Sequence, residues 1–400
     1  MVDVLKALEG FAVPLFVCPQ GGHEEFPTDV MDEFGILCDI RGATFSEAVD
    51  RLRRLRPDAI VTFTDHQLDL TSRLAAELGL PFTSSPVVET LTRKSLQRRR
   101  LNVCGASHVA SHTVESKRAL LDAMQDIDGP AVLKPDVGTG SRSTYRLTGE
   151  EDAVMAAREL FPADARAVPH ERFVLEEEIP GGRMEGPWGD YVSVESAVLE
   201  DDIRHVAVLG KFPLAWPYRE TGSFLPAALP QETQEAVTAV ASVALRGLGV
   251  RRGIYHTEVK LSVSGPQVIE VNGRLGGRAN DLVQMAGGPD LIRMAVRLAL
   301  SDAGALDDAA SWTPATLPFL YAKVLPPSAK RFLGVDGADH LRARPEISRV
   351  IIDHAPGASL DWRKGRLGNA YVCFGAVRDH RELERLLGEI ERTVTVRHTD

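Results

Sequence analysis

The sequence predicts an α/β protein of several domains, beginning with a small domain built on a parallel sheet. The length of 400 residues corresponds to two to four domains at ~100–200 residues each. Apolar runs at 13–18 and 58–63 predict buried strands, and apolar residues at helical spacing predict helices over 45–56 and 70–80. Strand and helix therefore alternate, which is typical of a parallel sheet.

Further along the chain the patterns predict a mixture of helices and strands. A basic helix is expected over 87–101, and a long helix over 231–249 ends at Gly249. Short strands at 131–134 and 173–175 flank a helix at 151–160, and two more strands lie within 191–212. Strands at 254–263 and 267–272 form a hairpin, and the last ~100 residues end in a helix at 379–393.

The composition excludes several classes of protein. Hydrophobic residues make up 44% and charged residues 26%, which suits a soluble protein with substantial cores. The net charge of −10 disfavours general binding to nucleic acid or anionic membranes, and no apolar run approaches the ~20 residues of a membrane span. Asp3 and Glu9 argue against a signal peptide. Four cysteines without Cys-x-x-Cys spacing favour a reducing compartment, so we expect a cytoplasmic protein with small-molecule partners, neither nucleic acid nor membrane.

The segments Tyr255–Lys260 and Gln267–Arg274 carry the strongest chemical signal. A turn near Ser264–Gly265 would set Glu258 opposite Glu270 on one face of a hairpin, with His256 on the same face. Two carboxylates so close repel each other unless a cation lies between them, and with the Asn272 carbonyl they suit Mg²⁺. Arg274 could hold a phosphate or carboxylate bidentately. The alternative is a charged hairpin face in solvent, and for His256 a packed or hydrogen-bonding role is favoured over catalysis.

A glycine-containing loop follows the strand that ends near Lys134. Gly138 and Gly140 allow positive φ and expose backbone N–H groups, while Ser141 and Ser143 add hydroxyl donors, so the loop could cradle phosphates. It is neither a Walker A loop nor a Rossmann fingerprint, and a plain surface turn is an equal alternative.

Two further segments fit a nucleotide site less specifically. Lys94 could reach phosphates from the basic helix, whereas 98–100 (Arg-Arg-Arg) is favoured as a solvated face. The strand end with Glu176, Glu178 and Ile179 could read adenine through its backbone and one carboxylate, or be a solvated strand end.

Taken together and in this order, the blocks resemble the ATP-grasp superfamily, and within it the L-amino acid ligases. The resemblance implies an N-terminal α/β parallel-sheet domain (1–90), a linker helix with a small lid domain (91–180), a large central domain with an antiparallel sheet (181–305) and a small C-terminal subdomain (306–400). It implies an ADP-forming carboxylate–amine ligase that makes an amide or peptide bond through an acyl phosphate, with amino acids as expected substrates. The cofactors implied are ATP and Mg²⁺, with Mn²⁺ as an alternative ion.

The resemblance also assigns a role to each matching position. Lys94, Lys134 and the loop would bind phosphates, and Glu176 with the Glu178–Ile179 backbone would bind adenine. The metal would be held by Glu258, Glu270 and Asn272, with Arg274 and Lys134 stabilising the reacting groups.

The substrate residues implied by the resemblance are Glu220, Ser223, Arg274, Gly277 and Arg278, with Glu220 meeting an amino group. The chain departs from the ligase pattern at Phe224, where a His is common, and at Arg278, where an aromatic residue is common. Arg278 leads to the hypothesis of an anionic substrate. Carboxylation, synthesis of a non-peptide amide, and a nucleotide-binding regulator without turnover remain alternatives. The substrates, their order and the base for the amine stay open, as does the oligomeric state, for which a homodimer is one option.

Overall fold

The computed structural model describes residues 2–19, 28–161 and 172–400. Its N-terminal part contains a two-stranded parallel sheet, in which Leu15 pairs with Ile36 and Cys18 with Asp39. The elements of this part are α1 (Val2–Leu8), β1 (Leu15–Cys18), α2 (Thr28–Phe34), β2 (Ile36–Asp39), α3 (Phe45–Leu55), α4 (Leu68–Leu78), α5 (Ser85–Thr92) and α6 (Lys94–Val103).

Two predictions for this part are wrong. The segment 58–63 is not a strand; Ile60 instead packs against the N-terminal core that contains Leu52, and Phe63 packs against the core that contains Ile254. The single basic helix predicted over 87–101 is interrupted at Arg93, which is extended (φ −105°, ψ 109°). The interruption makes Lys94 the first residue of α6, where its backbone N–H donates to the carbonyl of Asp136 (2.8 Å).

A four-stranded antiparallel sheet with the order β3-β6-β4-β5 lies within the region predicted as a lid, and we call it the lid sheet. Two helices cover it, and its core includes Leu133, Leu175 and Ala157. The elements are β3 (Ser111–Val114), α7 (Lys117–Gln125), β4 (Ala131–Pro135), β5 (Tyr145–Leu147), α8 (Glu150–Leu160) and β6 (Phe173–Glu177).

The central part is dominated by an eight-stranded sheet with the order β11-β10-β7-β8-β9-β12-β15-β14, and every recorded pairing within it is antiparallel. The long helix α9 buries Val237, Ala241 and Leu245 against one face because these residues recur at helical spacing. The elements are β7 (Tyr191–Leu199), β8 (Asp202–Lys211), β9 (Gly222–Phe224), α9 (Gln231–Leu248), β10 (Arg252–Ser262), β11 (Gly265–Asn272), α10 (Ala279–Met285), α11 (Leu291–Ala299) and α12 (Gly304–Ala310).

Three of the C-terminal strands extend the central sheet, whereas β13 and β16 pair with each other in a separate two-stranded antiparallel sheet. β12 pairs with β9 through Leu320 and Ser223, and β15 and β14 follow it outward. The elements are β12 (Leu317–Val324), β13 (Arg331–Asp336), α13 (Ala338–Arg342), β14 (Ile347–Ile351), a 3₁₀ segment (Trp362–Gly368), β15 (Asn369–Val377), α14 (His380–Thr393) and β16 (Thr395–Thr399). The predicted α/β class, with a parallel N-terminal sheet and antiparallel sheets beyond it, is confirmed. Within the described ranges, no helix combines the length and apolar character needed to span a bilayer.

Candidate active site

One cavity of about 870 Å³ gathers nearly all the predicted site residues. Its walls come from the lid sheet, the central sheet and the C-terminal strands. Ser143 is the one predicted site residue that does not line the cavity. Its backbone N–H donates to the carbonyl of Arg363 (2.9 Å). The predicted residues on the wall are Lys94, Lys134, Gly138, Gly140, Ser141, Glu176, Glu178, Ile179, Glu220, Ser223, Glu258, Glu270, Asn272, Arg274, Gly277 and Arg278.

The hairpin β10–β11 places Glu258 directly opposite Glu270, as the sequence predicted. Lys94 Nζ lies 3.3 Å from Glu270 Oε2, and the Asn272 side-chain amide donates to Glu270 Oε1 (3.2 Å). Burial alone would raise the pKa of Glu270, but the charges of Lys94 and Lys134 outweigh it and hold that pKa well below its usual range. The described residues contain no group of three or more His, Cys, Asp or Glu arranged for a metal. A pair of carboxylates with one amide oxygen fits an ion that takes its remaining ligands from phosphates and water, as Mg²⁺ does.

Behind this pair lies an ionic network that sequence reasoning missed. His256 is buried and its Nδ1 hydrogen-bonds to Glu195 Oε1, while the Gly276 N–H donates to Glu195 Oε2 (2.9 Å). His256 Nε2 faces Glu258 Oε1 at 3.5 Å. Burial alone would lower the pKa of His256, but the carboxylate of Glu195 and the contact with Glu258 raise it to about 9. His256 is therefore a cation that orients Glu258, which agrees with the hydrogen-bonding role favoured from sequence.

The glycine loop is fastened to α6. Lys94 Nζ donates to the carbonyl of Gly138 (2.7 Å), and the Ser95 N–H donates to Asp136 Oδ1 (2.8 Å). Gly140 adopts positive φ (66°), whereas Gly138 does not, so the expectation of positive φ is confirmed for only one of the two glycines. Ser141 lies in the left-handed region as well (φ 58°). The loop therefore turns sharply at 140–141 and is held within reach of Lys94.

Glu176 is surrounded by cations inside the lid. It is buried, with its two oxygens contacting Arg98 Nε and Nη2 (3.0 and 3.1 Å) and Lys134 Nζ (2.8 Å). Burial would raise the pKa of Glu176, but the charges of Arg98 and Lys134 lower it to about 2. Removing one member of such a buried set leaves an uncompensated charge, at a cost of about 3–5 kcal/mol. These contacts favour charge compensation as the role of Glu176, and its predicted contact with adenine stays a prediction.

The assignment of a solvated face is wrong for Arg98 and correct for Arg99 and Arg100, which are exposed. Arg98 is buried because, besides Glu176, its guanidinium donates to the carbonyls of Val268 (2.9 Å) and Ile269 (2.6 Å) on β11. Arg98 thus ties the lid to the strand that carries Glu270.

Glu178 and Ile179 follow β6 and line the cavity, and we call this segment the hinge. The Glu178 N–H already donates to the carbonyl of Pro130 (2.9 Å), and its carboxylate accepts from Arg146 Nε (2.7 Å). The contribution of Glu178 to a bound base would therefore be its carbonyl oxygen, with Ile179 next to it on the cavity wall.

A buried lysine that the sequence analysis overlooked faces the predicted substrate residue Glu220. Lys211 Nζ lies 3.1 Å from Glu220 Oε1, and the Lys211 side chain is only 6% exposed. Burial would lower the pKa of Lys211, but the carboxylates of Glu220 and Glu258 raise it, so this lysine is a permanent cation. The signal available in the sequence was a lysine that ends an otherwise apolar strand at Leu209-Gly210-Lys211.

Arg274 is held by a carboxylate from the N-terminal part of the chain. Its Nε and Nη2 atoms each lie 2.7 Å from Asp65 Oδ2, and its Nη1 donates to the carbonyl of Leu275 (3.0 Å). Both partners are mostly buried, with side chains 17% and 15% exposed. Since one edge of the guanidinium is occupied by Asp65, a bidentate grip on a substrate group would have to use the edge that carries Nη1.

Comparison with known proteins agrees with this geometry. Residues 127–281 match the family described as the ATP-grasp domain. The chain is 30% identical over 270 residues to carnosine synthase 1 of Gallus gallus, covering 62% of this chain and 28% of that protein. It is 25% identical over 232 residues to the alanine–anticapsin ligase of Bacillus subtilis, covering 55% of this chain and 49% of the ligase. The chain thus spans less than half the length of these two curated relatives.

The fold has a close counterpart among solved structures. An L-amino acid ligase from Bacillus licheniformis superposes with a TM-score of 0.75 over 99% of this chain and 95% of the ligase, at 20% identity. An N5-carboxyaminoimidazole ribonucleotide synthetase in its ADP complex superposes with a TM-score of 0.68 at 11% identity, over 97% and 93% of the two chains. At these identities the likeness concerns the fold, which is the one expected from the sequence.

Proposed function

We propose that this protein is an ADP-forming carboxylate–amine ligase. It would transfer the γ-phosphoryl group of ATP to a carboxylate, and the acyl phosphate would then react with an amine to give an amide or peptide, with phosphate as the second leaving group. The match of residues 127–281 to the ATP-grasp domain supports the use of ATP. The names of the relatives, a carnosine synthase and an alanine–anticapsin ligase, support a ligase.

The observation that carries the proposal is that one cavity joins three kinds of group. Backbone groups at the hinge suit a base, the loop with Lys94 and Lys134 suits phosphates, and Glu220 suits the amino group of an amino-acid substrate. A reaction between a nucleoside triphosphate, a carboxylate and an amine needs all three within one enclosure, because the acyl phosphate must be kept from water.

The residues at the hairpin fit a bound metal ion. Glu258 and Glu270 would hold Mg²⁺ together with the Asn272 oxygen, and the ion would offset the charge of the phosphates when bound. The Lys94 ammonium now lies 3.3 Å from Glu270, where it partly compensates the acidic pair. We expect Lys94 to turn toward phosphate oxygens as nucleotide enters.

Cationic side chains of the cavity wall would stabilise the charge that develops during phosphoryl transfer. As a carboxylate oxygen bonds to the γ-phosphorus and the bond to the β,γ-bridging oxygen breaks, negative charge spreads over the phosphoryl oxygens. Lys94 and Arg274 are placed at the cavity wall to stabilise that charge, and Asp65 fixes the direction of Arg274. In the second step the amine nitrogen bonds to the acyl carbon, the carbon–oxygen bond to phosphate breaks, and the amine gives up a proton.

The test is a screen of amino-acid pairs that measures ADP release, followed by the mass of the product. We expect ADP only when a suitable carboxylate and amine are both present, together with a product whose mass is the sum of the two less one water. Amide formation without ATP consumption, or ADP release that is indifferent to every carboxylate, would contradict the proposal.

The site assignment has its own variants. Glu270→Ala and Arg274→Ala should each lower kcat by about 100-fold or more, because the first removes an expected ligand of Mg²⁺ and the second removes a cation that would stabilise the charge developing on the phosphoryl oxygens. Glu232→Ala, which removes an exposed carboxylate in the first turn of α9, is the matched control and should turn over normally. Near-normal turnover in both site variants would defeat the assignment. Amino-acid substrates, a cytoplasmic location and a homodimer remain predictions from the sequence.

A further inference from the structure

One face of the central sheet continues from the substrate residues into the C-terminal strands. The register pairs Lys211 with Ser223, Ser223 with Leu320 and Leu320 with Phe374. Residues paired directly across antiparallel strands project from the same face. The row that starts beside Glu220 therefore runs without interruption onto β12 and β15.

The far part of this face is an apolar surface inside the cavity, which we call the floor. Ala322 pairs with Val372, and Val372 pairs with Ile351, so a second row lies beside the one that contains Leu320 and Phe374. All its members line the same cavity as the carboxylate pair. The floor consists of Leu320, Ala322, Ile351, Val372 and Phe374.

A cation lies over the floor. The guanidinium carbon of Arg278 is 5.8 Å from the centroid of the Phe374 ring. Arg278 pairs with Asp281 at 3.5 Å, and the Arg278 side chain is 52% exposed. Six of the other cations on the cavity wall each lie within 3.3 Å of a carboxylate oxygen; these are Lys94, Arg98, Lys134, Lys211, Lys260 and Arg274. Arg278 thus keeps guanidinium donors for a ligand, and its planar fork matches a carboxylate.

The floor lies next to the residues that are expected to hold the substrate whose carboxylate is activated. The carboxylate to be activated must reach Arg274 and the phosphates, and Glu220 is the expected partner of the same molecule's amino group. Ser223 lies on the wall beside Glu220, and the next strand is only ~4.8 Å away. A side chain that leaves an amino acid held at these two points would pass directly over the floor toward Arg278.

We propose that the floor and Arg278 form the side-chain subsite for the activated amino acid, and that this donor is a dicarboxylic amino acid. Its methylene groups would cover Leu320 and Phe374, and its second carboxylate would pair with Arg278. The inference rests on the proposed ligase activity and specifies its substrate.

The experiment compares donors that differ only in charge. Glutamate is measured against glutamine, and aspartate against asparagine, with the acceptor found in the ADP-release screen held at a fixed saturating concentration. Fragmentation of the product identifies which compound was activated. We expect the acid to exceed its amide in kcat/KM by about 10-fold or more, since the neutral amide cannot form the charged, bidentate pair with Arg278.

Variants then assign the preference to Arg278. Arg278→Gln should reduce kcat/KM for the acid selectively, Arg278→Glu should reverse the preference, and Arg278→Lys should keep part of it. Arg99→Gln is the control, because Arg99 is an exposed arginine of α6 that lies outside the cavity wall. The KM for ATP, measured in each variant, should be unchanged and reports that the protein is folded.

Three results would overturn the inference. If the ratio of kcat/KM for the acid to that for its amide is the same in wild type and Arg278→Gln, Arg278 does not recognise the charge of the donor. A wild-type preference for the neutral amide would show the same. A preference for a cationic donor would instead assign the subsite to Asp353, a carboxylate exposed on the same wall. Each of these leaves an active ligase, whereas the absence of ADP release with every pair tested would contradict the proposed function itself.

Discussion

At the scale of single residues, the site is built from cations whose positions are fixed by acids distant in the sequence. Arg274 depends on Asp65, which precedes it by more than two hundred residues, and Lys134 depends on Glu176. Such pairing holds a cation in one direction before substrate arrives, which reduces the reorganisation needed in the transition state. The positions of Arg274 and Lys134 could be predicted from sequence, but their partners could not, because nothing local to either residue specifies them.

The pair of Asp65 and Arg274 gives a prediction about turnover. Asp65→Asn should lower kcat by up to about 100-fold, because a misdirected guanidinium no longer meets the phosphoryl group, whereas the KM for ATP should change little. Asp65→Glu should recover part of the loss. Asp69→Asn is the control, since Asp69 is an exposed carboxylate one turn along that pairs only with Arg73 at 3.6 Å. Equal kcat values for Asp65→Asn and Asp69→Asn would remove the positioning role.

At the scale of elements, the glycine loop is supported by the 3₁₀ segment Trp362–Gly368. The Ser143 N–H donates to the carbonyl of Arg363 (2.9 Å), and the Trp362 ring meets Tyr145 edge-on at 5.3 Å. A C-terminal segment thus helps to shape the loop expected to hold phosphates. The sequence indicated the loop itself through its glycines, but this support was not predictable from a segment without recognisable periodicity.

A glycine in that segment tests the contact. Gly365 lies so close to the loop that an added Cβ would be 1.9 Å from the carbonyl oxygen of Gly140, a backbone atom that cannot swing away. Gly365→Ala should therefore displace the loop and weaken nucleotide binding by about 10-fold, by analogy with the cost of small misplacements in other sites. Isothermal titration with ADP measures this effect.

The control for this variant is Gly357→Ala, which introduces similar left-handed strain (φ 91° against 62°) at a position with nothing within 4 Å of the added Cβ. Should both variants bind ADP equally well, the 3₁₀ segment would have no part in shaping the loop.

At the scale of the whole molecule, the site exists only because four parts of the chain converge. The N-terminal part contributes Asp65, the lid contributes Lys134, the central hairpin contributes Glu258 and Glu270, and the C-terminal strands contribute the floor. The C-terminal strands β12, β14 and β15 belong to the same sheet as the hairpin, so that sheet continues across the boundary expected near residue 305. Changes in the packing of this sheet should therefore affect stability and activity together.

One buried histidine makes the stability of the sheet depend on pH. His205 lies between β7 and α9, with Ser196 Oγ 2.9 Å from its Nδ1 and Ser242 Oγ 2.8 Å from its Nε2. Burial, assisted by the charge of Arg246, lowers the pKa of His205 from 6.5 to about 4. Because the unfolded chain binds this proton more readily, the contribution of the neutral ring is fully present above pH 6.5 and is lost as the pH falls toward about 4.

The expected slope from this group is up to about 1.4 kcal/mol of unfolding free energy per pH unit within that window. His205→Gln should flatten the pH dependence there, which urea denaturation midpoints at several pH values between 4 and 7 would measure in both proteins. Parallel pH profiles for variant and wild type would show that other groups account for the acid sensitivity.

The sequence by itself determined the elements whose signals are local. Helical spacing located the cores of α3, α4, α8, α9 and α14, and alternation located the hairpin. The turn alone would pair Glu258 with Ile269, and a β-bulge between Glu258 and Val259 brings Glu258 opposite Glu270. Tertiary structure alone decided which side chains are buried and paired. Arg98 was expected in solvent yet lies against Glu176, and the 58–63 segment was expected in the sheet yet packs by its side chains. The physical reason is that burial of a charge, or entry into a sheet, depends on partners brought by distant segments, and a local pattern carries no information about them.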